Sequence, residues 1–333
     1  MTLPTDSVFL DSFFSSVTKI YEKDLQKNFL GYWPGTSYLM DGYSHKRSGS
    51  YALQFPLEYG VTNSNTKFFD GTENINTDQV QTATAAIFQW RNVASSATIS
   101  TTDELANSGK AEIFDLYKTR LDSAMRSTAY LINSEIYSDG TNFGGKTIVG
   151  LAAGVSTTPT ANPASGAVGG VDAPTNVWWQ NAAATSFGSW ATSGVNGSTS
   201  DNWLTQWNNV TDGPAESPNL ILSGQDVWER YNRTLTQNTR FVDPNNRMKG
   251  DFTFQTLEYM GRPWTWDRMC PAGRAYLLNT KYVHFFVEPN AFFKWTEPRV
   301  WPDQFAKTRL MMLRTALVYR ARMYNDVIDG VAA

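Results

Sequence analysis

Two elements in the first half of the chain are too long for it to bury alone: a two-stranded arm from Ser50 to about Val93, then a helix from about Asp103 to Tyr137. Tyr51, Leu53, Phe55, Leu57 and Tyr59 alternate with Ala52, Gln54, Pro56 and Glu58, the period of a half-buried strand. The returning strand repeats the pattern with Val80, Ala86, Phe88 and Trp90. The run from Val61 to Asn76, rich in Asn, Thr and Gly, makes the tip of a projecting hairpin. An isolated hairpin is marginal in water and leaves its edges unpaired, so its expected partner is another copy of the chain. Tyr51, Leu53, Phe55, Leu57, Phe88 and Trp90 are the expected contact residues.

Thr101 reads as the N-cap of the long helix, with Glu104 completing a capping box. Ile113, Leu116, Leu121, Met125, Ala129, Ile132 and Ile136 form one apolar stripe, and Ser138, Asp139 and Gly140 stop the helix. At about 1.5 Å per residue it would run roughly 50 Å, about three times an average helix. Such an element is a structural spine rather than a catalytic one.

A chain of 333 residues with 41% hydrophobic and 14% aromatic residues holds a sizeable core and is folded. With 18% charged residues and a net charge of −3 there is no global basic field, which argues against nucleic-acid binding as the primary activity. No apolar run reaches the length of a membrane span, and the first residues lack the pattern of a signal peptide. Cys270 is the single cysteine, which suits a reducing cytoplasm.

Residues 7–30 carry apolar residues at roughly helical spacing and read as a short amphipathic helix before an extended arm. The Gly, Ala, Ser, Thr, Asn and Pro-rich stretch from Gly140 to Gly197 reads as long loops. An αβ unit follows: a helix near Ser200–Val210, a buried strand Asn219–Leu222, a helix near Gln225–Gln237, and short strands around Phe252–Leu257, Pro263–Trp266, Arg274–Leu278 and Val283–Val287. Phe305–Tyr324 closes the chain and is long enough to cross a whole domain.

Gly140 to Thr147 satisfy the phosphate-loop pattern G-x-x-x-x-G-K-[ST]. A true loop of this kind leaves a strand and enters a helix, whereas this one leaves the long helix and enters loops, so a flexible Gly-rich turn is the better reading. His45 and His284 lack partners at metal-ligand spacing, and Cys270 has no helix N-terminus behind it to depress its pKa. No catalytic residue, cofactor site or metal site is expected. Of the twelve tryptophans, most are expected to serve as core and subunit-contact anchors rather than a sugar-binding surface.

The order of elements, with Gly169-Gly170-Val171-Asp172, Trp178-Trp179-Gln180-Asn181 and Asp267 leading to Pro271 and Gly273, resembles the major capsid proteins of tailed double-stranded-DNA bacteriophages. Their fold is shared with encapsulins and the herpesvirus shell floor. The resemblance spans about Val8 to Val327 and implies an α+β capsid fold. Its parts would be an N-terminal arm (1–47), an extended hairpin E-loop (48–95), a peripheral domain with the spine helix (96–155), an axial αβ domain (156–287) and a return to the peripheral domain (288–333). It further implies a homo-oligomer of hexamers and pentamers forming an icosahedral head, with Trp178 and Trp179 joining the contact residues. The virion would be its location and the bacterial host cytoplasm its place of assembly, with no membrane involved.

Some relatives carry a long N-terminal scaffolding segment; this chain reaches its arm early, so a separate scaffolding protein is expected, alongside a portal and a decoration protein. Some crosslink a hairpin Lys to an Asn; Lys67 is present, but Trp301–Leu310 offers Asp303 and Gln304 and no Asn, so a non-covalent shell is expected. Lys307, Arg309, Arg314, Arg320 and Arg322 are expected to pair with acids rather than grip packaged DNA, whose contact would be weak and non-specific. The alternatives are an encapsulin-type compartment and, from another class, a Trp-rich carbohydrate-binding or glycoside-hydrolysing protein.

Overall fold

The structure, a computed structural model, describes residues 33–41, 45–47, 49–59, 66–74, 81–106, 110–185, 187–190, 202–211, 216–236, 257–300 and 305–332. The amphipathic helix expected over 7–30 lies outside them, as do Val80, Phe252, Asp303 and Gln304.

In chain order, α1 (Pro34–Asp41) and β1 (His45–Lys46) precede the hairpin strands β2 (Ala52–Glu58) and β3 (Ala83–Gln89). β4 (Arg91–Ser100) continues β3 and hands over to α2 (Thr101–Ala106) and the long α3 (Lys110–Ile136). One-turn helices at Asn142–Gly145 and Leu151–Gly154 come before β5 (Ala182–Ala184), β6 (Gly188–Ser189), α4 (Trp203–Asn209), β7 (Leu220–Ser223) and α5 (Gln225–Thr236). The strands β8 (Leu257–Tyr259), β9 (Arg262–Trp266), β10 (Ala275–Leu278), β11 (Val283–Val287), β12 (Lys294–Trp295) and β13 (Arg299–Val300) follow. The long β14 (Ala306–Tyr319) then leads to β15 (Asp326–Ile328) and β16 (Val331–Ala332).

β14 organises the first sheet. Along one edge it pairs antiparallel with β4, from Ala306 opposite Ser100 to Thr315 opposite Arg91. Its other edge takes β13, β12 and β11 in turn, and β1 adds to β11 in parallel. α3 lies against β4, its buried Met125, Ala129, Ile132 and Ile136 forming the expected stripe. At about 1.5 Å per residue α3 extends roughly 40 Å. The cap is Ser100 rather than Thr101: the Ser100 hydroxyl accepts from the Asp103 amide, while Thr101 is drawn onto the Phe305 carbonyl through both its amide and its hydroxyl. Three hydroxyl residues stand in a row here, and pairing with the chain before β14 decides which one is free to cap.

The second sheet runs β5-β15-β10-β7-β9-β8. β7, β10 and β15 are buried along their whole length, as strands covered on both faces must be. One face carries an aromatic cluster of Phe187, Trp203, Trp207, Trp228, Tyr231, Tyr259 and Trp264, in which Tyr231 and Trp264 stack at 4.2 Å. The other face, with Leu222, Tyr276 and Val327, joins the main core under the first sheet.

Two boundaries differ from the sequence reading. β11, expected in the axial unit, belongs to the first sheet, and the tail beyond Tyr319, expected to stay with the first sheet, crosses back so that β15 enters the second. Both strands are buried throughout, so no alternation marks the sheet to which they belong.

Candidate assembly surfaces

Most of the residues expected to touch a neighbouring copy are covered by the chain's own core. Leu53, Phe55, Leu57, Phe88, Trp90 and Trp179 are buried, and Trp178 is half-buried with its ring stacked on Tyr59 at 4.6 Å. Tyr51 alone stands in solvent, 92% exposed. The cover comes from Phe286 against Phe55, Tyr319 near Phe88, and the turn at Gly169. Gly169 sits at φ +65°, and a Cβ there would come within 2.9 Å of the Ala86 methyl, so both its conformation and the close approach demand glycine. A period-two pattern shows that one face is buried but not by what.

At the hairpin tip the described residues, 66–74, are all exposed. Phe68 is fully exposed and Phe69 largely so, while Lys67 and Glu73 pair at 3.1 Å and leave Asp70 as the unbalanced charge among the described residues of the tip. The sequence signal was two adjacent phenylalanines inside an otherwise polar run. A second exposed surface is the face of β4–β14 turned away from α3. There Thr98, Ser96, Ala94 and Asn92 lie opposite Thr308, Leu310, Met312 and Arg314, with Leu310 and Met312 as the raised apolar residues. Val300 and Phe305 extend the exposed apolar surface near the far end of β14, beside exposed Lys294 and Arg299.

The basic residues of the closing strand have mixed fates. Arg314 pairs with Glu288 at 2.6 Å, whereas Arg320 lies over the Phe55 ring at 4.9 Å. Arg322 is wholly buried and donates to the Gly154 and Ala153 carbonyls and Asn181 Oδ1; burial pushes its guanidinium down to about 10.

Where the two sheets and α1 meet, Asp267 forms a junction. Its carboxylate accepts from the Gly35 amide at 2.9 Å, the Met269 amide at 2.9 Å and Asn133 Nδ2 at 3.1 and 3.2 Å. Asn133 Oδ1 in turn accepts from the Thr36 amide and hydroxyl. Tyr137 lies beside this group, and burial followed by the Asp267 charge pushes its phenol well above the usual range.

Cys270 is buried, and burial followed by the Asp267 charge pushes its thiol well up, the opposite of a reactive thiolate. His284 is packed near Phe286, and among the described residues no group of three candidate ligands could hold a metal. The Gly140–Thr147 loop follows a helix, not a strand, and exposes Phe143 at φ +51°. Every described tryptophan is buried or half-buried, which leaves no Trp-lined surface among them.

No family model matches the sequence, and no curated protein matches it. Solved structures do. The capsid asymmetric unit of Cyanophage A-1(L) superposes with a TM-score of 0.67 at 17% identity, covering 92% of this chain and 94% of that one. The capsid of an empty GTA particle gives 0.54 at 9% identity, over 88% and 96%. The holo-SrpI encapsulin complex of Synechococcus elongatus gives 0.52 at 10%, over 88% and 87%. With hairpin, spine helix, long β14 and second sheet all in place, the chain has the fold of the tailed-phage capsid proteins, which encapsulins share.

Proposed function

We propose that this chain is the major capsid protein of a tailed double-stranded-DNA phage, assembling as hexamers and pentamers into an icosahedral head. The observation that carries the reading is the near full-length superposition on a phage capsid protein. It is a structural protein rather than an enzyme. Its partners are other copies of itself, a separate scaffolding protein, a portal and the packaged DNA, held by weak non-specific contact; it is assembled in the host cytoplasm and ends in the virion.

Charge supports a head-to-tail contact between copies. The hairpin segment 51–82 carries Glu58, Asp70, Glu73 and Asp78 against Lys67 alone. On the exposed face of β4–β14, Lys294 stands opposite Met312 and Arg299 opposite Thr308, both exposed, with Glu297 as the exposed acid between them. A hairpin lying on the exposed face of the next copy's β4–β14 would bring opposite charges together and bury Phe68 and Phe69, and a repeated contact of this kind closes rings. Tyr51, at the hairpin's root, would join it.

Sedimentation and negative-stain microscopy of the protein, alone and with its neighbouring reading frames, test the proposal. Closed shells, or hexamers and pentamers that close when a scaffold is supplied, are expected; a monomer under every condition would overturn it. Shells filled with protein instead of DNA would favour the encapsulin reading. Boiled particles should run as intact monomers on denaturing gels, because the shell is non-covalent. The double variant Phe68→Ser, Phe69→Ser should melt like the wild type and yet form no shells, since both rings are exposed in the single chain. Normal shells from that variant would remove the tip from the contact.

A further inference from the structure

Asp326 is a buried acid that none of the foregoing uses. β15 lies between β5 and β10 and sets Asp326 opposite Ala182 and Leu277. The side chain is fully buried, and neither carboxyl oxygen has a hydrogen-bond partner among the described residues. It shares a face of the sheet with Ile328, Leu277 and Ala275, the face on which Trp203 and Trp207 of α4 pack.

No cation meets it there among the described groups. β5 is three alanines, α4 and β7 have no ionisable side chain, and the one ionisable residue of β10, Tyr276, stands opposite Val327 on the other face. The charged groups nearby in sequence or on the same side are engaged elsewhere. Arg322 donates to Gly154, Ala153 and Asn181; Arg274 makes a two-bond pair with Asp329; Arg230 of α5 donates to the Val331 carbonyl. On α5, Asp226 accepts from the Gly273 amide, Glu229 faces Arg233, and the Tyr231 hydroxyl donates to the Glu258 carbonyl. Tyr259 of β8 is a neutral phenol.

A carboxyl buried without cation or donor is far cheaper neutral than charged. We infer that β15 is a proton-loaded strand: Asp326 keeps its proton in the closed sheet, and ionisation loosens β15, with its neighbours β5 and β16, from the rest of the second sheet. Burial pushes this carboxyl up to about 7. An ordinary aspartate titrates near about 4. Between those values the folded chain holds a proton that the unfolded chain has lost. The stability it contributes is therefore complete below about pH 4 and is lost as pH rises through about 7, an increase in the unfolding constant of up to about a thousand-fold. The inference stands whether or not the chain builds a shell; in a shell, mild acid would tighten the second sheet of every subunit.

Hydrogen exchange of the full chain, compared with Asp326→Asn at each pH so that intrinsic rates cancel, reads the loosening directly. Between about pH 6 and about pH 8.5 the wild type should lose protection at residues 182–184 and 326–332 relative to the variant, with β7 and β9 unchanged. Equal protection at both pH values would overturn the inference. If the variant does not fold, infrared difference spectra of wild-type protein with isotope-labelled aspartate decide instead. A protonated-carboxyl band present at the lower pH and lost at the higher one is expected, and its absence at the lower pH would overturn the inference.

Discussion

Asp267→Ala is expected to lower the free energy of unfolding by about 3–5 kcal/mol, one of the largest single-residue effects in the chain. The carboxylate is fully buried and holds together segments that are 97 to 232 residues apart through Gly35, Asn133 and Met269. Alanine would leave two backbone amides and the Asn133 side-chain amide without acceptors, and each buried orphan costs about 1–3 kcal/mol. Asp267→Asn should cost less, since it keeps one oxygen but turns a donor toward Asn133 Nδ2 and either the Gly35 or the Met269 amide. Asn133→Ala combined with Asp267→Ala should be less damaging than the sum of the two, by about 1 kcal/mol or more, because the pair shares one network. Chemical denaturation is best made in the Phe68→Ser, Phe69→Ser background, where assembly does not add to the apparent stability. A loss below about 1 kcal/mol for Asp267→Ala would show that the junction is not a structural tie.

Nothing local in the sequence announces that role. Asp267 follows Trp264-Thr265-Trp266 and precedes a turn, and its partners come from α1 and from the far end of α3. By contrast the hairpin and the spine helix were legible, because each depends on a short-range period: two along β2 and β3, three to four along α3. The covering of the hairpin was not, because Gly169, which closes over Ala86 and Phe88, lies some eighty residues further on. Apolar strand residues were assigned to a neighbour when the chain's own loops covered them, and the uncovered Phe68 and Phe69 were passed over inside a polar run. The placement of β11 and β15 was illegible in a different way: strands buried on both faces carry no parity.

Gly154→Ala is expected to cost more than about 3 kcal/mol and to weaken the hairpin's root with it. Gly154 ends the one-turn helix Leu151–Gly154, and an ideal Cβ on it would lie 1.9 Å from Tyr319 Cζ and 2.3 and 2.4 Å from the two Cε atoms. Space, not conformation, makes glycine necessary here. Tyr319 cannot step aside cheaply: it is fully buried at the end of β14, its hydroxyl reaches the Val149 carbonyl at 3.4 Å, and its ring centroid lies 6.5 Å from that of Phe88 on β3. Moving the ring would also disturb the Gly154 carbonyl, which accepts from buried Arg322 Nε at 2.7 Å. Gly71→Ala, at a hairpin-tip position with open space around it, should stay within about 0.5 kcal/mol of wild type. Tyr319→Leu opens room beside Gly154, so the double variant Gly154→Ala, Tyr319→Leu should be more stable than the sum of its parts by about 1 kcal/mol or more, and strict additivity would sink the steric account. The comparison also separates folding from assembly. Gly154→Ala should lose thermal stability and shells together, because the hairpin is rooted against the ring that must move, whereas the tip variant should lose shells alone.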